Sequence, residues 1–456
     1  MKSSLPFVLL LCAQLFCSSL FAQWQNVGSN ITAVSRSVYG LSVPNSSVVW
    51  GITIHPNYTA AAREFTRSTN GGISWQTGVI DAANGQDFTA LSVFALDANT
   101  AWVTMTDNGT QRLGRIYKTT NGGLSWEEQK GSFNNLNNAV VAVHFFDENN
   151  GFAYGSPGTG DALADSLRIW RTSNGGNNWG RIPAGQLPTP LAEEGIWIYY
   201  GNGSYDVAGD SIWFGTRRGR VWRSTDRGNS WQAFSIGADV PVYSVAFSDA
   251  KNGLATSDGR GFRTFDGGAT WEEITMPNSF VYYQIENVPG TPGAYVLIYE
   301  GSDMFYTDFR MAYTLNDGDD WQSLPPKDIE CVQFLSATQG FGGGRVFSPT
   351  TGGIYRWTGN LNALTSITNN ELVRKSIRSY PNPFNDYTIV EFDVNSPAPI
   401  DYTLTNLAGQ VIESGRVERL LIGKNQVMIH SKAPAGVYLL TLTHEGSVQT
   451  LKLIKR

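Results

Sequence analysis

"RSTNGGISW", residues 67–75, returns as "KTTNGGLSW" (118–126), "RTSNGGNNW" (171–179), "RSTDRGNSW" (223–231), "RTFDGGATW" (263–271) and "YTLNDGDDW" (313–321). The closing tryptophans, Trp75, Trp126, Trp179, Trp231, Trp271 and Trp321, lie 51, 53, 52, 40 and 50 residues apart. A period near fifty marks an array of like units, a propeller or a solenoid. Within each period the order is constant. A strand-like stretch ("LSVFAL", "VAVHFF", "YSVAFS") leads to a polar turn ("DANT", "DENN", "DAKN"), a second strand ("AWVTM", "GFAYG", "GLATS"), a variable loop, and a third strand ending in the quoted string. The tryptophan opens a fourth. Four short antiparallel strands per unit make one propeller blade.

The turn accounts for its own residue types. Asn70, Asn121, Asn174, Asp226, Asp266 and Asn316 share the position where a short side-chain oxygen can accept hydrogen bonds from the following backbone N–H groups. Two residues on stand Gly72, Gly123, Gly176, Gly228, Gly268 and Gly318, where a positive φ is expected. The Ser or Thr two residues before the Asn or Asp can add a local hydrogen bond. Folding the indole onto the hairpin removes at most about 150–250 Å² from water, or about 4–6 kcal/mol, so each copy reads as a structural staple.

Two half-units remain. "WQNVG" at 24–28 looks like a fourth strand with no turn before it, and "GGIYRWTGN" at 352–360 like a third strand with no "WQ" strand after it. The halves match. We therefore expect seven blades, with Trp24 completing the blade begun by residues 330–360 so that strand pairing latches the ring.

The chain has 456 residues, 12% aromatic and 16% charged, with 49 Gly and 14 Trp, which favours short strands and tight turns over disorder or long helices. Residues 1–22 read as a secretory signal peptide, with Lys2, the apolar run "LPFVLLLCAQLF" and Ala22 at the cleavage position. No later segment has 18 consecutive apolar residues, so no membrane insertion is expected. Cys331 alone of the three cysteines follows the signal, and it reads as a small buried apolar residue rather than a disulfide partner. Residues 23–370 carry 22 Lys/Arg against 31 Asp/Glu, an acidic balance that argues against nucleic acid as a partner.

The pattern Ser/Thr-x-Asp-x-Gly-x-x-Trp resembles the Asp-box, or BNR repeat, of sialidases, xyloglucan-cleaving glycosidases, sortilin-type receptors and photosystem II assembly factors, with the assembly-factor-like branch the most similar overall. The resemblance implies a propeller whose boxes lie on the blade periphery, away from the ligand. It does not choose among those functions. A sialidase would require an arginine triad, which cannot be assigned, and the single "RIP", Arg181 to Pro183, falls in mid-chain.

After residue 365 the period stops. Across 366–378 the sequence reads as a linker, and 379–456 alternates polar and apolar residues over several short strands, as a small immunoglobulin-like β-sandwich would. "YPNPF" (380–384), "LTNLAGQVI" (404–412), "APAGVYLLTL" (433–442) and the final "LKLIKR" resemble the type A C-terminal sorting domain of the type IX secretion system of Gram-negative bacteria. Pro381, Asn382, Pro383, Gly409, Gly436, Tyr438 and Lys452 carry the motifs. The resemblance implies type IX machinery as a partner and an extracellular or outer-surface address.

The fold class read from the sequence is thus all-β: a seven-bladed propeller over 23–365, then the sandwich. The loops opposite the boxes are long and uneven, and they carry the candidate site. Glu193 with Asp258 or Asp161 could serve as a glycosidase acid and base, since two carboxylates flanking a bond about 5–10 Å apart suffice for that chemistry. Glu194, Trp197, Tyr199, Arg217, Arg218, Arg260 and Glu300 are candidates for ligand binding, with Asp165, Tyr200 and Asp303 near them in the same loops. The alternative is that these charges are solvated loop residues and arginine pairs. His55, His144, His430 and His444 are scattered, and Asp317, Asp319 and Asp320 fill turn positions, so no metal or other cofactor is expected. Two functions follow: a module binding an extracellular protein or glycan, or an extracellular glycoside hydrolase.

Overall fold

The computed structural model describes residues 23–33, 35–55, 61–81, 88–107, 113–131, 133, 138–157, 167–196, 205–277, 282–300, 309–325, 328–362, 378–394, 399–407, 409–418, 420, 423–444 and 447–456. The chain divides into two compact units, Met1–Gly359 and Asn360–Arg456. Both are built of antiparallel strands, as the aromatic, glycine-rich composition anticipates.

Five four-stranded sheets of the first unit begin with Phe88–Ala95, Asn138–Phe145, Tyr205–Ala208, Ser244–Phe247 and Tyr282–Asn287, and each adds its next three strands in sequence order. An eight-stranded sheet takes the rest. One half runs Arg36–Ser42, Val49–Ile54, Glu64–Ser68, Gln76–Val79; the other holds Ile329–Ser336, Gln339–Ser348, Thr351–Trp357 and the N-terminal strand Trp24–Asn26. Strand pairing between the halves sets Arg36 and Ser37 opposite Val346 and Arg345. The pairing expected of Trp24 is present: Trp24, Gln25 and Asn26 lie opposite Trp357, Arg356 and Tyr355. Trp24 is 2% exposed and packs edge-on against Trp357 and Phe334, at centroid distances of 5.1 and 5.9 Å.

The first strands form a circuit, each tied to the next. Ala95 N–H donates to Ser42 Oγ (2.8 Å), the Phe94 and His144 rings meet at 4.6 Å, and Tyr205 OH donates to Val143 O (3.3 Å). Phe247 N–H donates to Asp206 (2.6 Å), Ile285 N–H to Ser244 Oγ (3.1 Å), and Val332 N–H to Gln284 Oε1 (2.8 Å). Ser37 Oγ closes the circuit by donating to Glu330 (2.7 Å). The polar residues in these otherwise apolar strands therefore satisfy main-chain groups where diverging strands cannot pair with one another. Aromatic rings fill the space between sheets: Trp102 stacks on Phe145 at 3.7 Å and Trp213 on Phe247 at 3.8 Å.

All six repeated turns share one hydrogen-bond scheme. In the first, Ser68 Oγ donates to Asn70 Oδ1 (3.0 Å) and accepts from Gly72 N–H (2.8 Å), while Asn70 Oδ1 accepts from Ser74 N–H (2.9 Å). The glycine at that position has φ between 80° and 90° in every copy, as the turn requires. The preceding residue is left-handed too, including the non-glycines Arg227 and Asp317 at 57° and 54°.

The Lys or Arg that opens five of the six repeated strings, which the sequence reading passed over, proves to be a link between sheets. Lys118 Nζ donates to Gly175 O (2.8 Å), Arg223 to Asp266 O and Gly267 O (3.2 and 3.1 Å), and Arg263 to Asp317 O (3.3 Å), in each case in the turn of the following sheet. Arg171 reaches Asn229 and Arg67 reaches Ala98 O in the same manner.

In the second unit, one sheet holds Arg378–Tyr380, Tyr387–Val394 and Gly423–His430. The other holds Val411–Val417, Ile400–Asn406, Gly436–His444 and Ser447–Lys455, in that spatial order. Phe384, Val390, Phe392, Leu404, Ile429, Leu440 and Leu453 belong to a single core that both sheets share. The motif residues fasten this unit. Asn382 donates to Lys452 O (3.0 Å) and accepts from Ile454 N–H (2.9 Å), Tyr438 OH donates to Pro434 O (2.7 Å), and Gly409 takes φ 80° in the turn closed by Asn406 and Gln410. Pro381 and Pro383 both follow cis peptide bonds, and Gly436 opens the Gly436–His444 strand.

Candidate functional site

Backbone hydrogen bonds fix which connections share a face of the first unit. The turns between first and second strands lie against the repeated turns: Gly122 N–H donates to Asn99 O (2.9 Å), Gly175 N–H to Asn149 O (2.9 Å) and Gly267 N–H to Lys251 O (2.7 Å). Strand alternation then sends the second-to-third connections and the connections between sheets to the opposite face. That loop face carries Glu193, Glu194, Arg217, Arg218, Asp258 and Arg260.

Most of these side chains are already committed. Glu194 is fully buried and accepts from Leu191 N–H (2.9 Å), Thr216 Oγ1 (2.9 Å), Trp222 Nε1 (3.1 Å) and Arg220 Nε (2.8 Å), whose guanidinium also pairs with its second oxygen. Burial alone would raise its carboxyl, but the Arg220 guanidinium and the other donors outweigh that and hold it below the usual range. Arg218 forks onto Asp239 (2.9 and 2.8 Å) and donates to Ala192 O (3.0 Å), and Arg260 forks onto Glu273 (2.8 and 2.6 Å). Arg217 is exposed, and its N–H donates to Gly195 O (2.9 Å). Glu193 stands exposed at φ 57° in the connection before Tyr205–Ala208; Asp258, also exposed, accepts from Tyr243 OH (2.5 Å) in the turn after Gly253–Thr256. Asp161, Trp197 and Tyr199, with Asp165, Tyr200 and Asp303, lie outside the described residues, as does the side chain of Glu300.

A second arrangement, which the sequence reading did not single out, lies on the axis. A cavity of about 330 Å³ is lined from six first strands, belonging to five sheets, by residues that include Ser42, Phe94, His144, Asp206, Glu286 and Gln333. Leu96 and Pro44, just past the ends of their strands, also line it, which sets it toward the face of the repeated turns. His144, Asp206 and Glu286 are half-buried, and each keeps part of its surface on the cavity. Burial pushes the Asp206 carboxyl up to about 7, against the pull of the Phe247 and Val207 N–H groups and the Asn287 amide. Burial and the neighbouring Asp206 charge raise Glu286 well above its usual range. Burial drives the His144 imidazole down to about 3, so it stays neutral. The signal available in the sequence was a carboxylate inside an apolar first strand, "YDVA" at 205–208 and "YYQIEN" at 282–287. Among the described residues no group of three or more His, Cys, Asp or Glu is placed to hold a metal ion, and no helix is long and apolar enough to cross a membrane.

Comparison with known proteins bears on both units. Residues 378–456 match the family described as a secretion system C-terminal sorting domain. The tail is a sorting domain. It implies handling by the type IX secretion machinery and delivery to the outside of the cell or its surface. The chain is also similar to solved structures, three of which follow. A structure of YCF48 bound to D1 peptide gives a TM-score of 0.52 at 15% identity, covering 75% of this chain and 97% of that one. YCF48 from Cyanidioschyzon merolae gives 0.50 at 14%, covering 74% and 98%. An ancestral GH74 enzyme gives 0.52 at 13%, covering 94% of this chain and 63% of that one. At these identities the likeness shows the fold alone, all-β and propeller-like. No curated protein matches the chain.

Proposed function

We propose that the chain is an exported seven-bladed propeller that binds an extracellular protein or glycan on its loop face, with residues 1–22 a signal peptide, 23–365 the propeller, 366–378 a linker and 379–456 the sorting domain. The closed circuit of first strands supports seven blades, the last completed by Trp24–Asn26. One observation carries the binding reading: the described charges of the loop face are mostly engaged with one another, Glu194 by Arg220, Arg218 by Asp239 and Arg260 by Glu273. A hydrolase needs two carboxylates facing one bond in a cleft. Glu193 and Asp258 instead stand exposed on the connections of different sheets. Such a face suits recognition by shape and polar contact. Protein ligands stand beside glycans in this proposal because YCF48, a neighbour of the same fold, has been seen bound to D1 peptide.

The test is a glycan array and a cell-surface protein pull-down with the purified chain, with products read by mass spectrometry. Retention without cleavage is the expected result. Cleavage that vanishes in Glu193→Gln or Asp258→Asn would establish the glycoside hydrolase instead.

A further inference from the structure

We infer that the axial cavity is a binding site for an organic cation, a primary ammonium or guanidinium group on a short apolar stem. It lies toward the opposite end of the unit from the loop face and does not depend on what that face binds.

Three features point to this chemistry. First, the cavity has the capacity of a small ligand or a single long side chain, about 330 Å³. Second, its walls divide by character. Leu41, Val93, Phe94, Leu96, Val207 and Val332 offer an apolar sleeve, while Asp206, Glu286 and Gln333 bring acceptors into it. Third, its charge is one-sided. Among the described lining residues there is no Lys or Arg, so two neighbouring carboxylates face the same space without a cationic partner there, in contrast to the arginine-paired carboxylates of the loop face. The other titratable groups on the cavity are the His144 imidazole, the Tyr205 phenol and the Cys331 thiol, and burial keeps all three neutral at physiological pH.

A like-charged pair in a poorly solvated cavity retains a proton that a positive guest would displace. The guest restores the charge balance, its stem covers the apolar wall, and the proton released goes to solvent. The same cation can arrive as a free amine or as a lysine or arginine side chain of a peptide.

Isothermal titration of the full chain with agmatine and with a short Arg-containing peptide, each against its uncharged counterpart, tests this. Running each titration in two buffers of different ionisation enthalpy measures the proton count without any variant. The expected result is saturable binding of agmatine with release of up to one proton, tightening as pH rises from 6 to 8. Affinity is expected to fall at least tenfold in Asp206→Asn and in Glu286→Gln. Val207→Phe, which fills the sleeve and spares both carboxylates, is expected to block binding as well and guards against a carboxylate variant that fails to fold. Binding of agmatine alone identifies a free amine as the source, and binding of the peptide identifies a side chain. Absence of binding by both probes, binding without proton release, or an affinity in all three variants unchanged from that of the unsubstituted chain overturns the proposal, as does a site that takes Ca²⁺ or Mn²⁺ and refuses the amines.

Discussion

The two faces of the first unit use the same side chains for different ends. On the face of the repeated turns, Lys118, Arg223 and Arg263 reach main-chain carbonyls in the next sheet, and the reach recurs with the period of the fold. On the loop face, Arg218 and Arg260 hold carboxylates, and no period relates them. A cation that recurs with the repeat reaches across to a turn of the next sheet, mostly to its backbone, which every unit possesses, even where it also holds side chains, as Arg263 holds Glu272 and Asp319. One that stands outside the repeat addresses another side chain, which evolution can move. The difference separates architecture from adaptable surface within one ring.

Four measurements can break or sharpen that contrast. The largest effect should come from Glu194, the buried exception on the loop face. Glu194→Ala strands the Arg220 guanidinium and three other donors, and should lower unfolding stability by about 3–5 kcal/mol in urea titration. A loss below about 1 kcal/mol would make Glu194 an ordinary loop charge. Next is the axis. The Asp206 carboxyl titrates near 7 when folded and near 3.8 when unfolded, so the folded state holds the proton more tightly and stability falls as pH rises from 4 through 7. His144 acts in the opposite sense, losing stability as pH falls below 6.5 toward 3. Asp206→Asn should therefore reduce the decline toward pH 7, by about 1–2 kcal/mol between pH 5 and 7, leaving the share of Glu286 and Glu330, which burial raises likewise, and the acid limb in place. On the turn face, Arg223→Ala gives up two carbonyl partners and should cost about 1–2 kcal/mol. Arg260→Ala, which breaks an ion pair open to solvent, should leave the urea midpoint unchanged within error. Equal losses for Arg223 and Arg260 would erase the distinction between the faces.

What could be read from the sequence follows the same division. The turn scheme was legible because a left-handed backbone followed by an N–H cradle admits few residue types, and those types recur six times. Closure by Trp24 was legible because an unmatched fourth strand and an unmatched third strand have one economical solution. The leading cations stood in plain view, yet a Lys or Arg before a turn resembles a solvated residue until the adjoining sheet is seen. The axial cavity was hidden for a different reason. Each lining stretch is an ordinary inner strand, and Ser42, Phe94, His144, Asp206, Glu286 and Gln333 come together only when six such strands, from five sheets, converge. The fate of Glu194 was hidden likewise, since nothing in "PLAEEGIW" tells which of two adjacent glutamates turns inward to meet Arg220.

The strand that closes the ring also sets an order of events. Trp24 leaves the ribosome first and Trp357 more than three hundred residues later, so this pairing is among the most distant contacts in the chain and belongs to the last stage of assembly. The sorting domain follows Trp357 in the sequence. A polypeptide that displays the address has by then already made both halves of the clasp, and synthesis cut short before residue 357 yields an open ring with no label. Chain order alone thus means that any molecule carrying the tail also possesses both strands of the clasp.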